Sequence, residues 1–178
     1  MRQAAGTKIV GILVIAVSAW GGIVPFVGPT FDFDMGSTTK AWVWTPSHWT
    51  LHLAPAVLGI AAGLMLFVPR SAATRRVGAI LAFVAGGWFV LGPTLAPLWQ
   101  HGGITTSGSD GVTGSRTIRV LEGVGYHNGT GVALMLLGAV ALWLLAMTPA
   151  VAPPPADEPS PAPGEEDTRV RPQQPAPV

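Results

Sequence analysis

Two histidines, four residues apart, stand at the start of an apolar stretch and offer the clearest chemistry in this chain. His48 and His52 belong to WTPSHWTLHLAPAVLGIAAGLMLFVP, residues 44–69. A spacing of four places two side chains on one helical face, as in helices that bind zinc through two imidazoles. Neutral imidazole is a ligand for zinc, copper and nickel. The pair therefore indicates either a metal site or an anchor at the mouth of a membrane helix.

Two further histidines extend this candidate site. His101 follows the third apolar stretch and His127 opens the fourth, so four imidazoles from three helices could converge. The candidate metal ligands are His48, His52, His101 and His127. They suit Zn or Cu, facing imidazoles from two helices could instead hold a haem iron, and a histidine cluster could sense protons.

The alternative to a metal site is that these histidines anchor helix ends and make hydrogen bonds. We favour this alternative because no carboxylate pattern is visible that would orient the rings. Asp110 and Glu122 are the nearest carboxylates in the segment before the fourth stretch. We therefore predict no bound cofactor, with Zn, Cu or haem as the alternative.

Signatures of enzymes are missing from the sequence. It contains no Gly-rich phosphate loop, no G-x-S-x-G and no H-E-x-x-H. The absence of Cys excludes disulfides, thiolate zinc sites and iron–sulfur clusters. A net charge of +1 provides no strong attraction for nucleic acid. We expect a protein that is not an enzyme and does not bind nucleic acid.

The elements that position the histidines are apolar helices. Hydrophobic residues make up 49% of the 178 residues and charged residues only 11%, against about 25% in soluble domains. Four stretches without Asp, Glu, Lys or Arg lie at about residues 9–27, 51–68, 77–98 and 131–147. Each is long enough to cross a bilayer as a helix. We predict an all-α membrane protein with a four-helix transmembrane domain, residues 1–149, and a Pro-rich disordered tail, residues 150–178.

Basic residues predict the orientation of these spans. They precede the first stretch or lie between the second and third: Arg2, Lys8, Arg70, Arg75 and Arg76. Basic loops stay in the cytoplasm, so both termini should be cytoplasmic in a multi-pass protein of the cell membrane, with the histidines outside. Cleavage of the first span as a signal peptide, after Ala19 in VSAW, stays open.

The membrane part shows an internal repeat. ILVIAVSAW, residues 12–20, aligns with ILAFVAGGW, residues 80–88, and a GPT follows each segment. His48 stands ten residues before Leu58-Gly59, and His127 stands ten residues before Leu137-Gly138. This predicts two helical hairpins, about residues 9–69 and 77–149, related by an axis along the membrane normal.

This pattern resembles the SPW-repeat membrane proteins of bacteria, although the Ser-Pro-Trp tripeptide is absent from the chain. The residues that carry the resemblance are Trp20, Gly28-Pro29, His48, Gly59, Trp88, Gly92-Pro93, His127-Asn128 and Gly138. The resemblance covers about residues 9–149. It implies a small integral membrane protein of bacteria without an established enzymatic role.

Small residues predict where the helices meet, because they let backbones approach closely in lipid. The predicted packing residues are Gly59, Gly63, Gly131 and Gly138, which share helical faces with the histidines. Prolines in the outer halves of the spans predict an irregular outer end, either as a vestibule or as simple helix ends. TIRVLEGV, residues 117–124, could form a short strand or an amphipathic turn.

These features together predict a structural or accessory component of a membrane assembly. The predicted partners are the lipid bilayer, other membrane proteins or a second copy of the chain. One alternative is a metal- or haem-binding membrane protein that uses the histidines. Another is a channel or exporter for small solutes through an outer vestibule.

Overall fold

The computed structural model of the protein describes residues 2–31, 33, 41–68, 71–98 and 116–147. Within these residues every regular element is helical. The predicted tail at residues 150–178 lies outside the described residues, as do His101 and Asp110.

Five α-helices and four short irregular helical turns make up the described chain. The α-helices are α1 (Arg2–Val27), α2 (Ala54–Phe67), α3 (Ala72–Leu95), α4 (Arg116–Gly123) and α5 (Gly129–Ala146). Turns of 3-10 helix follow α1 (Gly28–Phe31) and α3 (Ala96–Leu98), and π-helical turns precede α2 (His48–Leu53) and α5 (Val124–Asn128). Four helical segments are long and apolar enough to cross a membrane: Ala5–Phe31, His48–Phe67, Ala72–Leu95 and Val120–Ala146. The predicted all-α fold class is confirmed.

The ends of α3 show how local sequence sets helix boundaries. The side chain of Ser71 caps its first turn by accepting a hydrogen bond from the Thr74 amide at 3.2 Å, which satisfies one of the amides that a helix leaves unpaired. Pro93 lies in its last turn. Proline has no N–H to donate, so the Phe89 carbonyl lacks its usual helical donor. A 3-10 turn follows the helix, as is common at helix C-termini.

The fourth span begins earlier than the sequence indicated. The helix runs from α4 through the π-helical turn into α5, so the candidate span Val120–Ala146 includes Glu122, which is buried. The strand interpretation of residues 117–124 is wrong. A helix satisfies its backbone groups within the segment, whereas an isolated strand beside a bilayer does not. The continuous helical segment therefore contains one carboxylate, whereas the predicted stretch at residues 131–147 contains none.

The four spans pack in a ring, in which α1 and α3 each contact both α2 and α5. Glycines bring the backbones of each hairpin together. A Cβ atom at Gly63 would lie 2.7 Å from the Gly11 carbonyl oxygen, and one at Gly138 would lie 2.8 Å from the Ala79 carbonyl oxygen. Gly11 and Ala79 occupy equivalent positions when Trp20 is aligned with Trp88. The same contact therefore occurs once in each hairpin.

This shared contact corrects the predicted alignment of the repeat. The first helices keep the alignment of Trp20 with Trp88, but in the second helices the contact pairs Gly63 with Gly138. That pairing aligns His127 with His52, whereas the sequence alignment had matched it to His48. The error equals about one helical turn. The misalignment arose because α2 carries two glycines one turn apart, Gly59 and Gly63. Either of them can be aligned with Gly138 in α5.

Candidate functional site

The candidate site lies where α1 and α3 end and α2 and α5 begin, which we call the histidine end of the bundle. All four irregular turns of the described chain lie at this end, as the prolines predicted. Aromatic rings occupy space between the described helices at this end. Phe89 is fully buried, and the rings of Phe26, His52 and Tyr126 are each no more than 5% exposed.

The π-helical turn before α2 leaves one backbone carbonyl without its usual donor. In such a turn each carbonyl accepts from the amide five residues later, as the Trp49 carbonyl does from the Ala54 amide. The next carbonyl, that of Thr50, would need an amide at position 55, which is Pro55 and has no N–H. The indole N–H of Trp88 donates to the Thr50 carbonyl instead, at 2.8 Å.

The π-helical turn before α5 also accepts a tryptophan hydrogen bond, in this case from the first hairpin. The Gly129 amide donates to the Val124 carbonyl. The Gly125 carbonyl accepts from the Thr130 hydroxyl at 2.8 Å and from the Trp20 indole N–H at 2.9 Å. Each hairpin thus donates a tryptophan hydrogen bond to the π-helical turn of the other. The sequence marked both tryptophans as repeat positions but contained no signal for their acceptors.

His52 and His127 are in direct contact at the centre of the histidine end. Their ring centroids lie 4.6 Å apart, with an angle of 49° between the ring planes. Phe89 and Tyr126 meet the His52 ring edge-on, with centroid distances of 6.3 and 5.9 Å. The contact joins the π-helical turns that precede α2 and α5, and thereby the two hairpins.

Backbone carbonyls orient two of the imidazoles. His52 Nδ1 lies 3.1 Å from the Gly21 carbonyl oxygen, and His48 Nδ1 lies 2.7 Å from the Val43 carbonyl oxygen. A carbonyl only accepts, so Nδ1 carries the proton and donates in both rings, and Nε2 keeps its lone pair. A backbone carbonyl is a usual partner for the second nitrogen of a metal-bound histidine. The sequence analysis missed these partners because it considered only carboxylates.

His127 carries an unsatisfied polar atom. Its Nε2 is buried and makes no hydrogen bond within the described part of the chain. Buried side-chain polar atoms nearly always have a partner in proteins, so an exception needs an explanation. A bound ion or molecule that accepts the lone pair of this nitrogen, or receives a proton from it, would explain the missing partner.

Of the other two predicted ligands, one lies near this pair and the other is not among the described residues. The His48 ring lies 6.1 Å from His52 and 5.0 Å from Phe26, measured between centroids, while His101 is outside the described residues. Among the described residues, no group of three or more His, Asp or Glu side chains is arranged to hold a metal. The structure therefore brings together two of the four predicted imidazoles, with a third nearby.

The structure places each of the four predicted packing glycines against a neighbouring helix. A Cβ atom added at Gly59 would meet the Ser18 side chain. Cβ atoms added at the other three would meet backbone: that of Gly11 from Gly63, that of Gly86 from Gly131 and that of Ala79 from Gly138. Two of these partners, Gly11 and Gly86, did not emerge from the sequence, because neither belongs to a GxxxG pair with another glycine. Three of the four glycines therefore face the backbone of a neighbouring helix, and in two of these contacts the partner is also a glycine.

The lipid-facing side of α2 and α3 carries an apolar groove close to the histidine end. Its volume is about 270 Å³. The lining residues are Thr50, Ala54, Pro55, Leu58, Val84 and Trp88. Nearby at this end, the side chains of Trp42, Trp44 and Trp49 are all more than half exposed, which suits residues at a membrane–water boundary.

Comparison of the chain with protein-family models, with curated proteins and with solved structures finds no match in any of the three. The resemblance to SPW-repeat proteins therefore stays a prediction. Function has to be inferred from the residues of this chain alone.

Proposed function

We propose that the protein is a structural or accessory component of a membrane assembly, with both termini in the cytoplasm. The observation that carries the proposal is the direct contact of glycine with backbone between neighbouring helices. A Cβ atom at Gly131 would lie 2.6 Å from the Gly86 carbonyl oxygen, and Gly63 and Gly138 are equally close to α1 and α3. Helices that meet backbone to backbone form a rigid unit, since their contact area is large and their side chains have little freedom.

The exchanged tryptophan bonds favour a rigid scaffold over an exporter. Alternating access requires one repeat to rock against the other. Such a movement would break both the Trp88 bond to Thr50 and the Trp20 bond to Gly125, since each joins the two hairpins. Hydrogen bonds between membrane helices are worth about 0.6 kcal/mol on average and up to about 1.7. Both the tryptophan hydrogen bonds and the close helix packing therefore oppose a rocking motion of one hairpin against the other.

The groove on α2 and α3 is where we expect a partner helix to pack. It lies within the candidate spans and is almost entirely apolar. A large apolar side chain from a neighbouring membrane helix fills such a concavity by van der Waals contact, which is the main source of helix association in lipid. The partner chemistry this implies is an apolar transmembrane helix with a bulky side chain facing the groove.

Photo-crosslinking in intact cells tests the proposal. A photoreactive amino acid at Val84, in the groove, should give a discrete adduct with a second membrane protein. The matched control is Ala16, which aligns with Val84 in the repeat and so lies at the equivalent place on α1, where it is also exposed. We expect no protein adduct, or a much weaker one, from position 16. Lipid adducts alone at both positions, together with an unaccompanied chain after mild-detergent extraction, would refute the assembly role.

A further inference from the structure

We infer that His52 and His127 form a two-imidazole binding site for a first-row transition-metal ion such as zinc or copper. The inference goes beyond the proposed scaffold role, because a scaffold does not require a metal. It rests on the contact of the two rings, on the backbone bond that orients one of them, and on the buried nitrogen of the other.

Each of the two rings has a nitrogen available to a cation. The Gly21 carbonyl holds the Nδ1 proton of His52, so the Nε2 lone pair of that ring is free to bind a cation. His127 Nε2 is buried and has no hydrogen bond among the described residues. A metal ion that accepts the His127 lone pair would satisfy this atom, which otherwise loses its hydration without compensation.

The distance between the two rings suits a single shared ion. A metal–nitrogen bond is about 2.0 Å long and a ring nitrogen lies about 1.1 Å from the ring centroid. Two imidazoles that bind one ion at a tetrahedral angle therefore have centroids roughly 5 Å apart. Imidazoles on opposite sides of an ion would have centroids about 6.2 Å apart by the same bond lengths. The observed centroid distance of 4.6 Å is closer to the value for two adjacent positions around one ion. It does not fit a haem held between these rings, because a haem iron binds two axial imidazoles on opposite faces.

The surroundings of the pair favour an exchangeable ion. Phe89 and Tyr126 pack edge-on against His52, so the ion would sit beside an aromatic wall that limits access by water. Two protein ligands leave coordination positions for water, a small anion or a third imidazole, such as that of His48, whose ring lies 6.1 Å from His52. Structural zinc sites have four protein ligands and catalytic ones have three with an open position, so a site with two imidazoles holds its ion less completely than either. We therefore do not expect the ion to be required for folding.

Titration of the full-length protein with Co²⁺ and Zn²⁺ in lipid nanodiscs tests the site. We expect one Co²⁺ per chain, with visible absorption bands that Zn²⁺ displaces. His127→Ala and His52→Ala should each weaken Co²⁺ binding at least tenfold. The matched control is Gly87→Ala, whose added Cβ meets nothing within 4 Å and which should bind like the original chain.

A second variant keeps the inference testable if the alanine variants unfold. His127→Cys introduces a thiolate into a chain that has no other Cys, so a thiolate-to-cobalt charge-transfer band would place the ion at position 127. Absence of stoichiometric Co²⁺ in the original chain would overturn the inference. Undiminished binding in the folded double variant His52→Ala/His127→Ala would also overturn it, because the ion would then lie elsewhere.

Discussion

Adjacent glycines in the middle of α3 should respond in opposite ways to the same substitution. A Cβ atom at Gly86 would lie 2.5 Å from the Gly131 carbonyl oxygen and 2.7 Å from the Met135 amide nitrogen. A Cβ atom at Gly87 would meet nothing within 4 Å. Gly86→Ala therefore forces α3 and α5 apart, whereas Gly87→Ala adds a methyl group to an open surface.

The size of the difference is set by two opposing effects. Replacing Gly by Ala inside a helix is favourable by about 0.8–1.0 kcal/mol in water-soluble helices, and this gain applies to both variants. Overpacking a close contact costs about 1–3 kcal/mol, and it applies to Gly86→Ala alone. Because the atoms met by its Cβ belong to backbone, which cannot rotate away as a side chain can, we expect a cost near the upper end of that range. The two variants should thus differ by about 2–3 kcal/mol in free energy of unfolding.

Unfolding of both variants in mixed micelles with increasing SDS, followed by tryptophan fluorescence, measures this difference. The helix-propensity effect cancels when one variant is subtracted from the other, so the difference reports the contact of α3 with α5. Equal unfolding free energies, within about 0.5 kcal/mol, would refute the reasoning, since surface substitutions differ by no more than this. That result would mean that the two helices do not meet at Gly86.

The histidine end and the predicted orientation offer three further tests. Trp88→Phe should destabilise the bundle by about 0.6–1.7 kcal/mol through loss of its bond to the Thr50 carbonyl, whereas the same change at the exposed Trp143 should cost less; equal losses in SDS unfolding would contradict the exchanged bond. Adding Pro55→Ala should reduce the loss of unfolding free energy caused by Trp88→Phe, because the restored amide at position 55 can donate to the Thr50 carbonyl in place of the indole. Strict additivity in a double-mutant cycle would contradict this substitution of one donor for the other. In intact cells, a single cysteine at Trp44 should react with an impermeant maleimide and one at Ala73 should not; labelling of both from outside would remove the predicted orientation.

Composition and hydropathy were sufficient to predict the class of fold. A span in lipid has no water to bond its backbone, so a long apolar stretch becomes a helix whatever its neighbours do. This is why α1, α2, α3 and α5 all fall on predicted stretches. The same reasoning could not find α4, whose polar composition resembles a surface loop and which continues through a π-helical turn into α5.

Recurring small apolar residues limited what the sequence could say about packing. Gly59 and Gly63 are spaced by one helical turn, so an alignment of the two hairpins can shift by that turn and still pair a histidine with a histidine and a glycine with a glycine. Only the contacts of Gly63 with α1 and of Gly138 with α3 select one alignment. His52, rather than His48, is consequently the counterpart of His127.

The sequence by itself determined the four long apolar helices and the end of the bundle at which His48, His52 and His127 lie, because each of these depends on the nature of residues along one segment. Tertiary structure alone decided which imidazoles touch, which carbonyl orients each ring, and which π-helical turn receives each tryptophan. Those choices depend on the rotation and axial position of one helix against another. Close backbone contact at a few glycines sets both, and no single segment encodes it.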